Sequence, residues 1–293
     1  MSSEPVFPRR EGAPSDTNKS SRRKWTSALA VQVYGVRIGI RTNCVATLEQ
    51  IKERLPQGWK PLTSPVVDGT YSIYVADNSP PRIRQYHLLY NDSGLQARAL
   101  DIGKILGILE YSIHLHIGAA TRQRFFIHAG VVGWRDRAII IPGRSYSGKT
   151  SLVAALVKAG ATYYSDEFAV FDGRGRVHPY PLALSIRQTG SGAMQRWPVE
   201  KLGGRRGGKP LPIGLVILSR YQEGAEWQPR SLSSGRAVLA LVANALSARQ
   251  QPTALLPVLR QAVAHSAVLD GVRGEADETA AAILTWIDRD SRV

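Results

Sequence analysis

A glycine-rich segment carries the residues whose types and spacing most clearly indicate chemistry. It reads, in order, Gly143, Arg144, Ser145, Tyr146, Ser147, Gly148, Lys149 and Thr150. This order fits the phosphate-loop pattern G-x-x-x-x-G-K-[ST]. In such a loop the backbone N–H groups turn inward, and the positive end of the following helix adds to their attraction for phosphate. We therefore expect this segment and the next residue, Ser151, to bind a nucleotide.

Two side chains of the segment are suited to a metal-bound triphosphate. The Lys149 ammonium can reach the β- and γ-phosphates, and the Thr150 hydroxyl can ligate Mg²⁺. The apolar run Ala138 to Ile141 precedes the segment, and the apolar helical pattern Val153 to Lys158 follows it. A strand before the loop and a helix after it are the context that supports a phosphate loop. The alternative is a strand–loop–helix connection that binds no ligand.

An acidic pair, Asp166 and Glu167, supplies the carboxylates that a magnesium-bound triphosphate requires. Asp166 lies 17 residues after Lys149, far enough for one helix and a strand that returns to the same edge of the sheet. One carboxylate could hold Mg²⁺ through water while the other accepts a proton from an attacking hydroxyl. We assign Lys149, Asp166 and Glu167 to catalysis, and Thr150 with the acidic pair to metal binding. The alternative is a solvated strand end.

The elements that must position these residues follow from hydrophobic patterning. Residues 121–293 begin with apolar strands and end with three helical patterns, which are Arg236 to Arg249, Thr253 to His265 and Asp277 to Ile287. Strands followed by helices indicate an α/β fold of the mixed α+β type, with helices packed on a mixed sheet. Residues 25–120 are predicted to form an accessory α+β region. Residues 1–24 are polar and basic and are predicted to form a disordered tail.

Composition limits the class of protein. The chain has 293 residues, of which 43% are hydrophobic, and this excludes wholesale disorder. Its one cysteine, Cys44, excludes an internal disulfide framework and a zinc site built from cysteines. No apolar stretch approaches the roughly 20 residues that a membrane span needs, and none near the start resembles a signal peptide. We therefore predict a cytoplasmic protein with no membrane partner.

The net charge of +15 predicts an anionic partner. Residues 121–236 carry +11 of it and contain both the loop and the acidic pair, which favours phosphate as that partner. The segment 202–209, with four glycines and three basic residues, could close over an acidic or phosphorylated substrate or could be a flexible connection. Aromatic residues do not interleave with its basic residues, so nucleic-acid binding is not favoured.

Over residues 124–187 the sequence resembles the kinase domain of the bacterial HPr kinase/phosphorylase family, which is related to phosphoenolpyruvate carboxykinases. The family's His-Gly corresponds to His128-Ala129, its phosphate loop to residues 143–150, and its Ala-Asp-Asp to Ser165-Asp166-Glu167. The segment looks most like the HPr-kinase-related proteins found in bacterial biosynthetic clusters. Some relatives of that kind are thought to phosphorylate peptide products.

The resemblance implies a P-loop domain like those of HPr kinase and phosphoenolpyruvate carboxykinase over residues 121–293. It implies ATP or another nucleoside triphosphate, with Mg²⁺, as cofactors. His128 would lie beside the reacting phosphate, whereas its apolar neighbours alone indicate a core histidine. The implied activity is phosphate transfer to a Ser or Thr hydroxyl of a protein or peptide encoded nearby. Because the related kinases often assemble, a homo-oligomer is implied as well.

Departures from the family pattern support one of two alternative functions. Tyr146 stands at the family's middle loop glycine, Glu167 replaces its second aspartate, and residues 179–190 lack its Arg-Gly-x-Gly signature. These differences favour a catalytically silent module that senses a nucleotide and regulates a partner. The third hypothesis is a nucleic-acid-binding protein that uses the basic tail and the segment 202–209, whose affinity would fall steeply with salt.

Overall fold

The computed structural model describes residues 24–76, 85–143, 147–187 and 194–289. The predicted tail up to residue 23 and the loop residues Arg144, Ser145 and Tyr146 lie outside the described residues. The chain divides into two compact units, residues 1–122 and 123–293. In the described ranges, no helix has the length and hydropathy needed to cross a membrane. The mixed α+β fold class is confirmed by mixed sheets with flanking helices.

The first unit contains a six-stranded mixed sheet and two helices within its described residues. The sheet order is β3-β1-β2-β4-β5-β6, in which β2 and β4 are parallel and the other neighbours are antiparallel. The elements are β1 (Ser27–Val33), β2 (Val36–Thr42), α1 (Val45–Lys52), β3 (Lys60–Pro61), β4 (Gly69–Tyr74), β5 (His87–Asn91), β6 (Gly94–Ala99) and α2 (Ile102–Ala120).

Two local signals of the sequence explain the first hairpin and the start of the last helix of this unit. Tyr34 and Gly35 both have positive φ, 48° and 80°, which suits the two-residue turn joining the β1–β2 hairpin. The Asp101 carboxylate accepts a hydrogen bond of 2.9 Å from the Gly103 N–H and so caps α2. The turn at Tyr34 and Gly35 therefore fixes the β1–β2 hairpin, and the Asp101 cap fixes the start of α2.

The second unit holds the residues assigned to chemistry. Its strands and helices are β7 (Phe125–Trp134), β8 (Arg137–Pro142), α3 (Lys149–Lys158), β9 (Thr162–Ser165), β10 (Phe168–Phe171), β11 (Val177–His178), β12 (Leu184–Arg187), β13 (Met194–Trp197), β14 (Ile213–Tyr221), β15 (Arg230–Ser231), α4 (Ser234–Ala243), α5 (Pro252–Val263), β16 (Ala267–Arg273) and α6 (Ala276–Arg289). A 3₁₀ helix, Val199–Leu202, follows β13.

The main sheet of this unit is mixed, with the order β11-β10-β7-β8-β14-β16-β15, and β9 pairs with β7. Strands β8, β14 and β16 are parallel to one another, while β7 is antiparallel to β8, β9 and β10. The strands β12 and β13 form a separate two-stranded ladder. The phosphate-loop segment therefore leaves the sheet from β8, in its interior.

Helices cover both faces of the sheet, and this explains the apolar run in β8. Ile139 and Ile141 belong to a buried cluster that includes residues of α3 and α6, such as Leu152 and Ile283. Ile140 points the opposite way, into a second cluster with residues of α4 and α5. Because successive strand residues face opposite sides, a strand covered on both faces needs an unbroken apolar run.

Two expectations about this unit need correction. Residues 267–273 form β16, although the sequence reading placed no strand between the last two helices. The segment 202–209 is not a free flexible loop, because the Tyr163 N–H donates to Arg205 O and the Gly207 N–H donates to Tyr163 O, each at 2.8 Å. Its glycines allow this approach: a Cβ at Gly204 would overlap Val157 and Val199, and one at Gly207 would overlap the Tyr164 ring.

We predict that Gly204→Ala lowers the free energy of unfolding by about 1–3 kcal/mol, because the added methyl overpacks the contact with α3. Gly208→Ala is the matched control, since a Cβ there meets nothing within 4 Å, and it should stay within about 0.5 kcal/mol of the wild type. Denaturant unfolding of the three proteins measures the difference. Equal stabilities of the two variants would contradict the packing of this segment.

Candidate functional site

The backbone around β7 brings the loop and the acidic pair together. The Gly143 N–H donates to His128 O, and the Ala129 N–H donates to Glu167 O, each at 3.2 Å. One dipeptide of β7 therefore holds the start of the glycine-rich loop through one residue and the acidic pair through the next. This arrangement follows from the central position of β7, which pairs with β8, β9 and β10.

The loop ends at the amino terminus of α3 in a conformation that requires glycine. Gly148 is the N-cap of α3, with φ of 81° in the left-handed region. The first N–H groups of a helix have no partner within the helix and point outward, where they can bind an anion. Gly143 is also closely packed, because a Cβ there would lie 2.8 Å from Ser147 Oγ. Ser147 is half-buried and Ser151, in the first turn, is exposed.

Asp166 is almost completely buried, with 1% of its surface exposed, and is surrounded by donors. Thr150 Oγ1 donates to Asp166 Oδ2 at 3.1 Å. The Tyr163 hydroxyl lies 2.8 Å from Asp166 Oδ1, and the Ser185 backbone also hydrogen-bonds to this carboxyl. Burial raises the pKa of Asp166, and the bonds from Tyr163 and Thr150 oppose that rise. The acid is thus fixed in place beside the first turn of α3.

Glu167 differs from its neighbour because its carboxyl has fewer partners. Burial, together with the charge of Asp166, raises the pKa of Glu167 to about 7, although Lys149 acts in the opposite direction. Its Oε2 atom is buried and has no hydrogen-bond partner among the described residues. A carboxyl with a pKa near 7 exchanges a proton readily at neutral pH, which is the property that a general base needs.

Lys149, which is buried, and His128, which is half-buried, complete the group of ionisable side chains. Lys149 is 6% exposed, and burial lowers its pKa, while the charges of Glu167 and Asp166 raise it. Burial also lowers the pKa of His128, and the Lys149 charge lowers it further. His128 stacks at 5.0 Å from the Phe168 ring, and its Nδ1 atom has no partner among the described residues. The imidazole is therefore neutral at neutral pH.

The donor set fits Mg²⁺ better than a metal that needs an all-protein cage. Within the described ranges, no group of three or more His, Cys, Asp or Glu side chains could hold a metal ion. Mg²⁺ usually keeps several waters and binds one or two carboxylates together with substrate phosphates. The hydroxyl of Thr150 and the carboxylate of Asp166, which are already in contact, match that requirement.

Two residues that the sequence reading missed support this site. The Tyr163 hydroxyl contacts both Asp166 Oδ1 and Leu182 O at 2.8 Å. From β16, Arg273 Nη2 donates to Gly148 O at 2.9 Å. The apolar start of the stretch 267–273 could have indicated a strand. No local signal places Arg273 beside a loop 125 residues earlier in the chain.

No protein-family model matches the chain, and no curated protein matches it. The Thr150–Asp166 hydrogen bond and the charge interactions of Lys149 with Asp166 and Glu167 are therefore the basis for a proposed function.

We predict that Glu167→Gln changes the pH dependence of stability. The folded-state pKa of about 7 lies above the ordinary value of 4.5, so the proton on Glu167 stabilises the fold. This contribution is complete below pH 4.5 and is lost as the pH rises through 7. Between pH 4.5 and 8, the free energy of unfolding of the wild type should fall by about 3 kcal/mol relative to the variant.

Denaturant titrations at several pH values measure this difference. Glu223→Gln is the control, since Glu223 is exposed, and its pH profile should run parallel to that of the wild type. If the Glu167→Gln profile also ran parallel to that of the wild type, the surroundings of Glu167 would not raise the pKa of its carboxyl.

Proposed function

We propose that this chain is an ATP- and Mg²⁺-dependent kinase that transfers phosphate to a Ser or Thr hydroxyl of a peptide or protein. The observation that carries the proposal is the 3.1 Å hydrogen bond between Thr150 Oγ1 and Asp166 Oδ2. It joins the first turn of α3 to the acidic pair, next to the buried Lys149. A phosphate-binding helix end, a metal-binding pair and a candidate base are thereby combined in one cluster.

The order of elements supports a P-loop fold of the HPr-kinase-like type. Strand β8, the glycine-rich loop, α3 and β9 follow one another directly, and the acidic pair comes immediately after β9. Both carboxyls therefore lie at the same end of the strands as the start of the loop. The His128–Ala129 dipeptide on the neighbouring β7 holds both parts by backbone hydrogen bonds.

Nucleotide binding would use groups that are already oriented. The first N–H groups of α3 attract the phosphates, and the helix dipole adds to that attraction. The Lys149 ammonium, held at 6% exposure, interacts more strongly with phosphate in its low-dielectric surroundings than it would in water. Residues 121–236, with a net charge of +11, raise the local concentration of anionic substrate.

Thr150 and Asp166 would hold Mg²⁺, which when bound neutralises charge on the β- and γ-phosphates. The Asp166 carboxylate suits this role because Tyr163 and Ser185 fix its position. Glu167 is the proton acceptor in this assignment. Its pKa of about 7 lets it take a proton at physiological pH and release it afterwards.

In the transfer step the acceptor hydroxyl oxygen forms a bond to the γ-phosphorus. The bond between that phosphorus and the β–γ bridging oxygen breaks, and ADP leaves with the electron pair. The hydroxyl proton passes to the Glu167 carboxylate. Lys149 stabilises the charge that is spread over the transferring group. We assign the neutral His128 to the same end of the site, because its carbonyl accepts a hydrogen bond from the Gly143 N–H at the start of the loop.

The acceptor, on this proposal, is a peptide or protein encoded beside the gene for this chain. Purified protein, Mg-ATP labelled in the γ-phosphate and each such candidate are incubated, and labelled phosphate on the candidate is measured. We predict that Lys149→Ala and Asp166→Asn each lower the transfer rate at least about 100-fold. Lys158→Ala, at the exposed end of the same helix, should retain the wild-type rate.

Transfer that survives Lys149→Ala and Asp166→Asn would remove this site assignment. The second candidate, a nucleotide sensor without transfer, is favoured by Tyr146 at the family's loop glycine and by the absent Arg-Gly-x-Gly signature in residues 179–190. Calorimetry separates the two candidates. Mg-ATP binding that depends on Lys149, with no transfer to any candidate acceptor, would favour the sensor.

A further inference from the structure

A buried arginine from the far end of the sheet contacts the phosphate-loop segment. Arg273 is the last residue of β16 and is 2% exposed. Its Nη2 donates to Gly148 O and its Nη1 donates to Gly274 O, each at 2.9 Å. Its guanidinium carbon lies 5.3 Å from the centre of the Tyr221 ring. Arg273 takes no part in the phosphate-transfer step proposed for this site.

The Gly148 carbonyl accepts two hydrogen bonds. One comes from Arg273, and the other, at 3.2 Å, comes from the Leu152 N–H in the first turn of α3. Glycine is needed at this position because φ is 81° and because a Cβ would overlap Arg273 Nη2. The guanidinium therefore occupies the space next to the residue that starts the helix.

This contact fixes the direction of a phosphate-binding group. The carbonyl of Gly148 and the N–H of Lys149 belong to one planar trans peptide, so they point in opposite directions. With the carbonyl held by Arg273 and Leu152, the Lys149 N–H must point out from the helix end. It is the first N–H of α3, at the positive end of the helix dipole.

The charge of Arg273 is placed where it is costly without an anion. A cation at the amino terminus of a helix is repelled by the helix dipole, and Lys149 is buried at the same end. Within the described residues Arg273 forms no ion pair with a carboxylate. Glu275, whose charge attracts it, is hydrogen-bonded to the Tyr221 hydroxyl at 3.0 Å. A bound polyphosphate would offset the repulsion among these positive groups.

We propose that Arg273 is a positioning residue for the phosphate chain of the nucleotide, acting by holding the Gly148–Lys149 peptide so that its N–H faces the bound phosphates. This inference rests on the proposed nucleotide site. It adds a residue from outside the stretch 124–187, on which the family resemblance depends.

Binding of inorganic tripolyphosphate and of Mg-ATP, measured by calorimetry, tests the inference. We predict that Arg273→Gln weakens both affinities at least about 10-fold, because a charged hydrogen bond to the loop is lost. Arg230→Gln is the matched control: Arg230 is on β15, is exposed and pairs with Asp270 of β16, and its affinities should remain within about 2-fold. Wild-type affinities in Arg273→Gln would overturn the inference.

Arg273→Lys covers the case in which Arg273→Gln does not fold. Lysine keeps the charge, but it lacks the planar fork that reaches Gly148 and Gly274 together. We expect it to weaken both affinities about 3-fold or more, and unchanged affinities in this variant would also overturn the inference.

Hydrogen exchange separates this inference from the proposed function. In the protein without nucleotide, exchange of the Leu152 amide should be at least about 10-fold faster in Arg273→Gln than in Arg230→Gln, because the Gly148 carbonyl that accepts from Leu152 loses the side chain that holds it in place. Equal exchange rates would show that Arg273 does not hold the loop, whatever binds there. If the wild type binds neither probe, the proposed function fails, while the exchange result still decides whether Arg273 orients the peptide.

Discussion

Burial of charge at the amino terminus of α3 is the constraint on which the rest of the second unit depends. Lys149, Asp166 and Arg273 are each at most 6% exposed. Removing such groups from water is costly unless hydrogen bonds and opposite charges compensate. The hydroxyls of Thr150 and Tyr163 hydrogen-bond to the Asp166 carboxyl. Two backbone carbonyls accept hydrogen bonds from the Arg273 guanidinium. These partners come from separate elements, so the site exists only when the whole unit is folded.

The sheet provides the rigidity that this arrangement needs. β8 lies between β7 and β14 and is covered by helices on both faces, so the start of the loop cannot move independently of the core. The acidic pair is fixed in a similar way, since Glu167 O accepts from the Ala129 N–H in the middle of β7. Interactions with phosphate gain from such fixed groups, because little reorganisation is needed when the ligand binds.

Local signals made part of this arrangement predictable from the sequence. The run before Gly143 and the helical pattern after it predicted β8 and α3, and the short interval to Asp166 predicted that the acid returns to the loop. The contacts of the segment 202–209 could not be predicted in this way. Its glycines and arginines indicate a loop, and nothing in the sequence shows that the Tyr164 ring packs against it. β16 was missed because Asp270 and Gly271 interrupt its apolar pattern.

The neighbours of Asp166 and Glu167 were equally beyond sequence reasoning. Two adjacent carboxyls look equivalent in the chain, yet the first receives hydrogen bonds from Thr150 and Tyr163 while Oε2 of the second has none among the described residues. Burial raises the pKa of both acids, but hydrogen bonds oppose the rise at Asp166 and the Lys149 charge opposes it at Glu167. Spacing alone predicts that both acids are near the loop, and only the folded structure shows which of them is hydrogen-bonded by Thr150 and Tyr163.

The hydrogen bond between Gly148 and Arg273 joins residues that are 125 positions apart in the chain. During synthesis on the ribosome, the glycine-rich loop and α3 emerge long before β16, which must then insert beside β14 to deliver the arginine. An early nascent chain therefore has the glycine-rich loop without Arg273, which contacts it in the folded chain. On the proposed function, competence to bind nucleotide would therefore depend on β16, a strand that is synthesised late.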